Sequence, residues 1–259
     1  MSNASTPAIR IQDLHTWYGE SHILHGVNID VQPGEVVSLL GRNGAGRTTT
    51  LRAIMGLTGK RTGSIQINGV ETIKMAPHHI ARLGVGYCPE ERAVMTSLTC
   101  QENLMLPPKV AEGGMSVEEI YEMFPNLKAR KSSPGGRLSG GEQQMLAVGR
   151  ILRTGAKILL LDEISEGLAP VIVQALARMI RELRKRGFTV LMVEQNFRFA
   201  APLADRFYIM ERGLIGVSSP QPSCRTTWTC CTSTSASEFP FSSSLFAFFG
   251  SHHTKEMYR

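Results

Sequence analysis

GRNGAGRT, residues 41–48, is the most informative segment of this 259-residue chain. It follows the continuous apolar run Val36–Leu40, which is typical of a strand buried on both faces, and it opens a predicted helix, Thr48–Leu57. A glycine-rich turn in this context matches the phosphate-loop pattern G-x-x-x-x-G-K-[ST], whose backbone N–H groups surround phosphate oxygens at a helix N-terminus. We therefore predict a nucleotide-phosphate site formed by Gly41, Asn43, Gly44, Ala45, Gly46, Arg47, Thr48 and Thr49.

One position of this loop departs from the pattern, because Arg47 stands where lysine is expected. Arginine keeps the positive charge but is longer, planar and forked, so the exchange is not conservative in a tight phosphate cradle. We expect nucleotide binding to be partly retained and turnover to be reduced.

Two acids end a second apolar run. Ile158–Leu161 predicts a buried strand, and Asp162 and Glu163 follow it directly. Uncompensated carboxylates are costly at such a position, although taken alone they also fit a solvated strand end or a helix cap. With the phosphate loop present, we expect Asp162 and the Thr48 hydroxyl to hold Mg²⁺, and Glu163 to polarise an attacking water.

A third motif, LSGGEQQ at residues 138–144, lies between the other two and precedes a predicted helix. Ser139, Gly140 and Gly141 can present a hydroxyl and bare N–H groups at a helix N-terminus, which is a second anion site. In isolation the same residues would predict only a capped helix.

The remaining pattern predicts an α/β fold with a parallel sheet covered by helices on both faces. Residues 77–153 are expected to be mostly helical, with a capping box formed by Ser116 and Glu119. The other predicted elements are the strands Ile9–Leu14, Gly26–Val31, Ser64–Ile67, Lys157–Leu161 and Phe188–Val193, and the helix Val171–Arg186.

Composition excludes several classes of protein. The charge of +6 is too mild to imply nucleic acid, and five cysteines without a C-x-x-C pair favour neither a disulfide framework nor a zinc site. No apolar run reaches the length of a membrane span, and the first residues do not read as a secretory signal. Residues 218–259 are rich in Ser and Thr and are predicted to be a poorly structured tail.

Taken in their order, the three motifs resemble those of the ATP-binding subunits of ABC transporters, over residues 8–217. The resemblance implies a P-loop ATPase with a RecA-like core, an antiparallel β subdomain and a helical signature subdomain at about 77–153, acting on ATP with Mg²⁺. It also implies that Tyr18 stacks on adenine. Glu90 stands where most relatives carry glutamine, with a contact to the metal through water, and Gln195 stands where most carry a switch histidine.

The same resemblance implies partners and a location. Two such subunits, identical or different, meet head to tail, so that Ser139 and Gly141 of one chain face the nucleotide of the other. Residues 166–170 would contact the opposite subunit. The pair would sit on membrane permeases at the cytoplasmic face of the cell membrane and serve an extracytoplasmic solute-binding protein indirectly. No nucleic-acid partner is expected, because the charge is mild and no basic stripe with interleaved aromatics is visible.

Four short segments narrow the resemblance to a subfamily. PEER at 89–92, SLTCQENL at 97–104, SEGLAP at 165–170 and VEQN at 193–196 look like an ATPase of branched-chain amino-acid importers. Urea or amide importer ATPases remain an alternative. Arg47, and Ile164 where proline is usual, also leave open a catalytically impaired nucleotide-binding subunit. A soluble ABC protein of DNA repair or translation usually has two cassettes or a coiled insertion, and neither is visible here.

Overall fold

The chain is described by a computed structural model that covers residues 6–220; residues 221–259 of the expected tail lie outside the described residues. Within residues 6–220, ten strands form two sheets, and eight helices and one 3-10 turn (Gly135–Arg137) connect them. The strands of the described part are β1 (Ile9–Tyr18), β2 (Ser21–Val31), β3 (Val36–Gly41), β4 (Lys60–Ile67), β5 (Val70–Glu71), β6 (Val85–Cys88), β7 (Ile158–Asp162), β8 (Thr189–Glu194), β9 (Arg206–Glu211) and β10 (Leu214–Pro220). The helices are α1 (Arg47–Ile54), α2 (Pro77–Arg82), α3 (Cys100–Met105), α4 (Val117–Met123), α5 (Pro125–Ala129), α6 (Gly140–Arg153), α7 (Pro170–Lys185) and α8 (Phe197–Ala200).

The large sheet has six strands in the order β10-β9-β3-β8-β7-β6. Its inner pairings are parallel, and β10 alone runs antiparallel to its neighbour. The small sheet, in the order β2-β1-β4-β5, is antiparallel throughout. The predicted α/β class is confirmed, with a parallel core, an antiparallel β subdomain and a helical segment that carries the LSGGEQQ motif.

Alternation along the central strands divides the core into two layers. Leu40, Leu159 and Leu161 pack on the side of the helices α3 to α7, whereas Leu39 and Leu160 pack with α1 and the small sheet. Since every residue of β7 and β8 is buried, the sheet is covered on both faces, as a parallel sheet requires.

One strand interrupts the segment expected to be mostly helical. Residues 85–88 form β6, the edge strand of the large sheet, so the helices of 77–153 do not form one continuous unit. Strands β9 and β10 were not predicted, and β10 runs to Pro220, past the expected boundary at 217. The capping box of Ser116 and Glu119 at the start of α4 is confirmed.

Hydrogen bonds tie the two sheets together. The hydroxyl of Tyr208 in β9 accepts from the backbone N–H of Asp30 in β2 at 3.1 Å and lies 3.2 Å from its carbonyl oxygen. Arg206 donates to the same carbonyl at 2.6 Å and pairs with Glu35 at 2.7 Å. The small sheet is thereby anchored beside the strand that neighbours β3. None of the helices within residues 6–220 combines the length and apolar character needed to cross a bilayer.

Candidate functional site

The predicted phosphate loop joins β3 to α1, and its shape depends on glycine. Gly44 and Gly46 have φ of 79° and 106°, in the left-handed region that glycine adopts without strain. A Cβ on Gly41 would lie 2.5 Å from the backbone oxygen of Met210 in β9, so only glycine fits there. Gly46 is the N-cap of α1 and carries no side-chain cap. The first N–H groups of the helix therefore stay available for an anion.

Thr48 and Asp162 meet across this loop. The Thr48 hydroxyl donates to Oδ1 of Asp162 at 3.0 Å, and the Tyr87 hydroxyl donates to its Oδ2 at 3.0 Å. Asp162 is fully buried, and this burial raises its pKa, although both hydrogen bonds oppose the shift. Burial beside this carboxylate also raises the pKa of Tyr87. A hydroxyl beside a carboxylate is the hard oxygen donor set that Mg²⁺ prefers.

Arg47, the first residue of α1, points its side chain toward the end of β7. Its Nη2 donates to Oε1 of Glu163 at 2.5 Å and to Oδ1 of Asn43 at 3.2 Å. The side chains of Arg47 and Glu163 are 3% and 9% exposed, so this ion pair is buried. Nη1 of Arg47 is buried without a hydrogen-bond partner among the described residues. The guanidinium therefore has unused donors beside the phosphate loop.

Glu163 itself has an unusual backbone conformation. Its φ is +47°, in the left-handed region that side chains rarely adopt, and its N–H donates to the carbonyl of Val193 in β8 at 2.9 Å. Burial raises the pKa of Glu163 to about 8; a hydrogen bond with Glu166 adds to the shift and the Arg47 guanidinium opposes it. Ile164 is 1% exposed and packs in the core, which gives this non-proline residue a structural role.

Three carboxylates converge beside this ion pair. One oxygen from each of Glu90, Glu163 and Glu166 lies within 4.8 Å of the others. Glu90 is exposed and follows β6 by two residues, and its pKa is raised by partial burial and by the charges of Asp162 and Glu166. Since β6 and β7 are neighbouring parallel strands, their carboxyl ends bring these acids to one edge of the sheet.

Gln195 follows β8 at the same edge. It is half-buried and lines a cleft of about 710 Å³ together with Glu166, Gly167 and Leu168. The preceding Glu194 is 1% exposed, and burial raises its pKa to about 7. Its carboxylate accepts from the hydroxyl of Ser165 at 2.8 Å, which ties the end of β8 to the segment after β7.

The remaining predicted residues lie on other elements. Ser139 is the exposed N-cap of α6, where its hydroxyl lies 2.8 Å from Oε2 of Glu142 in a complete capping box. Gly141 is buried against Ile172, and a Cβ there would lie 2.7 Å from that side chain. Tyr18 ends β1, opposite Ser21, and is 42% exposed. An exposed ring and an exposed helix N-terminus are both free to contact a ligand or a second chain.

The sequence of this chain is also similar to those of known proteins. A family model described as ABC transporter matches residues 24–166. Over 203 residues the chain is 42% identical to the high-affinity branched-chain amino acid transport ATP-binding protein BraG of Pseudomonas aeruginosa. The aligned region covers 77% of this chain and 87% of that protein. The chain belongs to the ABC transporter family.

Other matches agree with this family and widen the range of transported substrates. The ABC chain is 33% identical to the lipopolysaccharide export system ATP-binding protein LptB of Escherichia coli K12, over 78% of its own length and 87% of that protein. Among solved structures, an ATP-binding subunit of an ABC transporter superposes with a TM-score of 0.72 at 28% identity, over 86% of this chain and 94% of that one. The protein is an ABC ATPase, and the matches leave its substrate undecided.

In this ABC ATPase, most of the residues predicted to take part in catalysis lie close together. Arg47, Thr48, Asp162, Glu163 and Glu90 lie at one edge of the large sheet. Ser139 bonds within its own helix, so its predicted contact to nucleotide depends on a second subunit. The roles of all these residues remain predictions.

Sequence reasoning missed Tyr87 and the pair formed by Ser165 and Glu194. Tyr87 lies in β6, inside the segment that was expected to be mostly helical. Its place directly before Cys88-Pro89-Glu90 was the one sequence signal that could have indicated a position near the predicted site. Glu194 adjoins the predicted Gln195, but nothing in the sequence indicates its buried bond to Ser165.

Proposed function

We propose that this chain is the ATP-binding subunit of an importer of branched-chain amino acids. The ATPase chemistry is supported above all by the contact of Thr48 with Asp162, which places a hydroxyl and a buried carboxylate beside the loop where phosphates would bind. The importer assignment is supported by 42% identity to BraG, against 33% to LptB. The motifs at 89–92, 165–170 and 193–196 favour the same subfamily.

The residues of the loop perform the binding step of this mechanism. The N–H groups at the start of α1 and the unused Arg47 donors would donate hydrogen bonds to phosphate oxygens, while Thr48 and Asp162 would hold Mg²⁺. When bound, Mg²⁺ supplies positive charge that neutralises phosphate oxygens. The Tyr87 hydroxyl orients Asp162 through its Oδ2.

In this proposal, Glu163 acts on the attacking water. Its raised pKa of about 8 makes the carboxylate a stronger base than an ordinary glutamate. Glu90 belongs to the same carboxylate cluster, and Gln195 follows the neighbouring strand β8. In the structure this carboxylate is held by Arg47, so it must be released before it can orient water.

A second subunit completes the site in this proposal. The exposed Ser139 and the N-terminus of α6 would face the nucleotide of the partner, and Tyr18 would stack on adenine. Closure of two subunits on nucleotide would shift permease subunits between two conformations at the cytoplasmic face of the membrane. A helix N-terminus and a bare glycine suit such an anion contact across an interface.

Complementation tests this proposal. The chain and its Arg47→Lys variant are expressed in Pseudomonas aeruginosa lacking BraG, and uptake of labelled leucine is measured, with Asp162→Asn as the inactive control. We expect uptake to be restored and to be lost with Asp162→Asn. Rescue of cells depleted of LptB without leucine uptake would assign the chain to export, and rescue of neither strain would contradict the importer proposal.

A second candidate function is a nucleotide-binding subunit that hydrolyses poorly. The specific observation in its favour is the buried pair of Arg47 with Glu163, which engages the base and the loop cation at once. A single-turnover hydrolysis assay separates the two candidates, since a poor hydrolase retains bound ATP whereas an active subunit converts it to ADP.

A further inference from the structure

We infer that Arg47 and Glu163 form a latch that nucleotide must open, in which the carboxylate competes with phosphate for the guanidinium. The inference rests on the proposed function and adds a regulatory step to it. In the closed latch, the Arg47 guanidinium is not fully available to phosphate, and the Glu163 carboxylate is not free to orient water. Phosphate binding would free Glu163 in the same event that fills the loop.

The first observation behind the latch is the closeness and burial of the pair. Nη2 of Arg47 lies 2.5 Å from Oε1 of Glu163, and both side chains are at least nine-tenths buried. A charge-assisted hydrogen bond of this kind is among the stronger polar contacts in proteins. An anion that takes Nη2 of the guanidinium has to replace this bond.

The second observation is that the pair satisfies Arg47 only in part. Nη2 is shared between Glu163 and Asn43, whereas Nη1 is buried and has no acceptor among the described residues. An unpartnered buried donor is costly, because folding has removed its water without providing a substitute. A phosphate oxygen would supply the missing acceptor, so the closed latch is prepared for exchange.

The third observation is that both ends of the latch are anchored through their backbones. Arg47 begins α1, and the N–H of Glu163 is bonded to Val193 of β8. In the proposed latch, the two side chains rotate apart while these backbone positions stay fixed. Arg47 belongs to the loop and Glu163 follows β7, 116 positions later. The exchange therefore links binding of phosphate in the loop to the position of the side chain at the end of β7.

Affinity for ADP in the absence of Mg²⁺ tests the latch without hydrolysis. We compare the full chain, Glu163→Gln and, as the matched control, Glu166→Gln, which removes a neighbouring carboxylate from the same cluster. Removing the Glu163 carboxylate should tighten ADP binding by about ten-fold, against less than about two-fold for Glu166→Gln. Equal affinities in all three proteins would overturn the latch.

A second readout separates a latch from simple repulsion between Glu163 and phosphate. Without nucleotide, the latch predicts that Glu163→Gln lowers the midpoint of thermal unfolding, because it leaves the buried Arg47 charge without its partner. Repulsion within the carboxylate cluster predicts the opposite sign, and a raised midpoint would overturn the latch. If neither ADP nor ATP bound any of the three proteins, the proposed function would fail and the latch with it, whereas equal binding defeats the latch alone.

Discussion

Single residues set the chemistry of this site through their length and burial. Arg47 reaches from the start of α1 to Glu163 at the end of β7, and both charges are removed from water there. Removing one partner of a buried pair costs far more than removing an exposed one, because the remaining charge stays unsolvated. Under the proposed function, position 47 would therefore control both phosphate binding and the freedom of the Glu163 carboxylate.

Arg47→Lys tests this control directly. A compact ammonium fits between phosphates better than a planar fork, so we expect the rate of ATP hydrolysis to rise by about ten-fold or more. Steady-state phosphate release provides the measurement. The same exchange at the exposed Arg52 of α1 serves as a control and should leave the rate unchanged. Equal rates for the chain and Arg47→Lys would refute the expectation.

Glu194 should make the stability of the fold depend on pH. Its pKa rises from 4.5 to about 7 on folding because the carboxyl is buried, so the folded chain binds more protons than the unfolded chain between these values. Stability therefore falls as pH rises from about 5 to 7, by about 2–3 kcal/mol in total for this one group.

Urea unfolding at about pH 5 and pH 8 measures this effect. Glu194→Gln cannot ionise, so the variant should lose less stability than the parent chain over this interval. Glu112→Gln, in an exposed loop, is the control and should follow the parent chain. An identical loss in Glu194→Gln and the parent would show that burial does not raise the pKa of Glu194.

At the scale of elements, three helices begin with the same N-terminal motif. Thr99, Ser116 and Ser139 each cap a helix whose third residue, a glutamate, reaches back to the cap. This capping box satisfies two N–H groups that would otherwise lack partners. The motif at Ser139 is the one predicted to have a second use, toward nucleotide on a partner subunit.

The pair Ser116→Ala and Ser139→Ala separates these two uses. Loss of either cap should lower the free energy of unfolding by about 1 kcal/mol, as measured in urea. Only Ser139→Ala should also lower the rate of ATP hydrolysis, because α4 lies outside the proposed site. A matching loss of rate in Ser116→Ala would mean that stability, and not a nucleotide contact, underlies the effect at Ser139.

The length of the elements determined which parts of the fold and site could be predicted from sequence. The phosphate loop, the acids after β7 and the LSGGEQQ motif are runs of adjacent residues, and each lies next to a long apolar or amphipathic element. Strand β6 has only four residues, including Gly86, which is too few for a period to be visible.

Contacts between side chains distant in sequence could not be predicted. Tyr87 and Asp162 are 75 positions apart, and Arg47 and Glu163 are 116 apart. Sequence order indicated that Arg47 belongs to the loop, but its choice of partner depends on the rotamer and on the left-handed backbone of Glu163. These are properties of the packed molecule.

For the whole molecule, a polar cluster adds to the apolar packing that joins the two sheets. The Tyr208 hydroxyl contacts Asp30 and Arg206, so one phenol joins β9 to β2. Another tyrosine hydroxyl, that of Tyr121 in α4, is buried without a partner among the described residues. The two phenols differ in hydrogen bonding while both rings are buried.

This difference gives a matched pair of variants. Tyr208→Phe keeps the ring but leaves groups of Asp30 and Arg206 without a partner, and should cost about 1–2 kcal/mol in urea unfolding. Tyr121→Phe removes an unsatisfied hydroxyl and should be neutral or stabilising. Equal costs for the two variants would show that the link between the sheets contributes nothing to stability.

The strand order of the large sheet has a consequence for how the chain is made. β3 pairs with β8 and β9, and Val36 lies opposite Val190, about 150 positions later. During synthesis the central strand is complete long before either of its neighbours exists, so its backbone N–H and C=O groups lack their sheet partners until residues 189–211 have left the ribosome. Pairing of the central strand must therefore come late in translation, after most of the chain has been made.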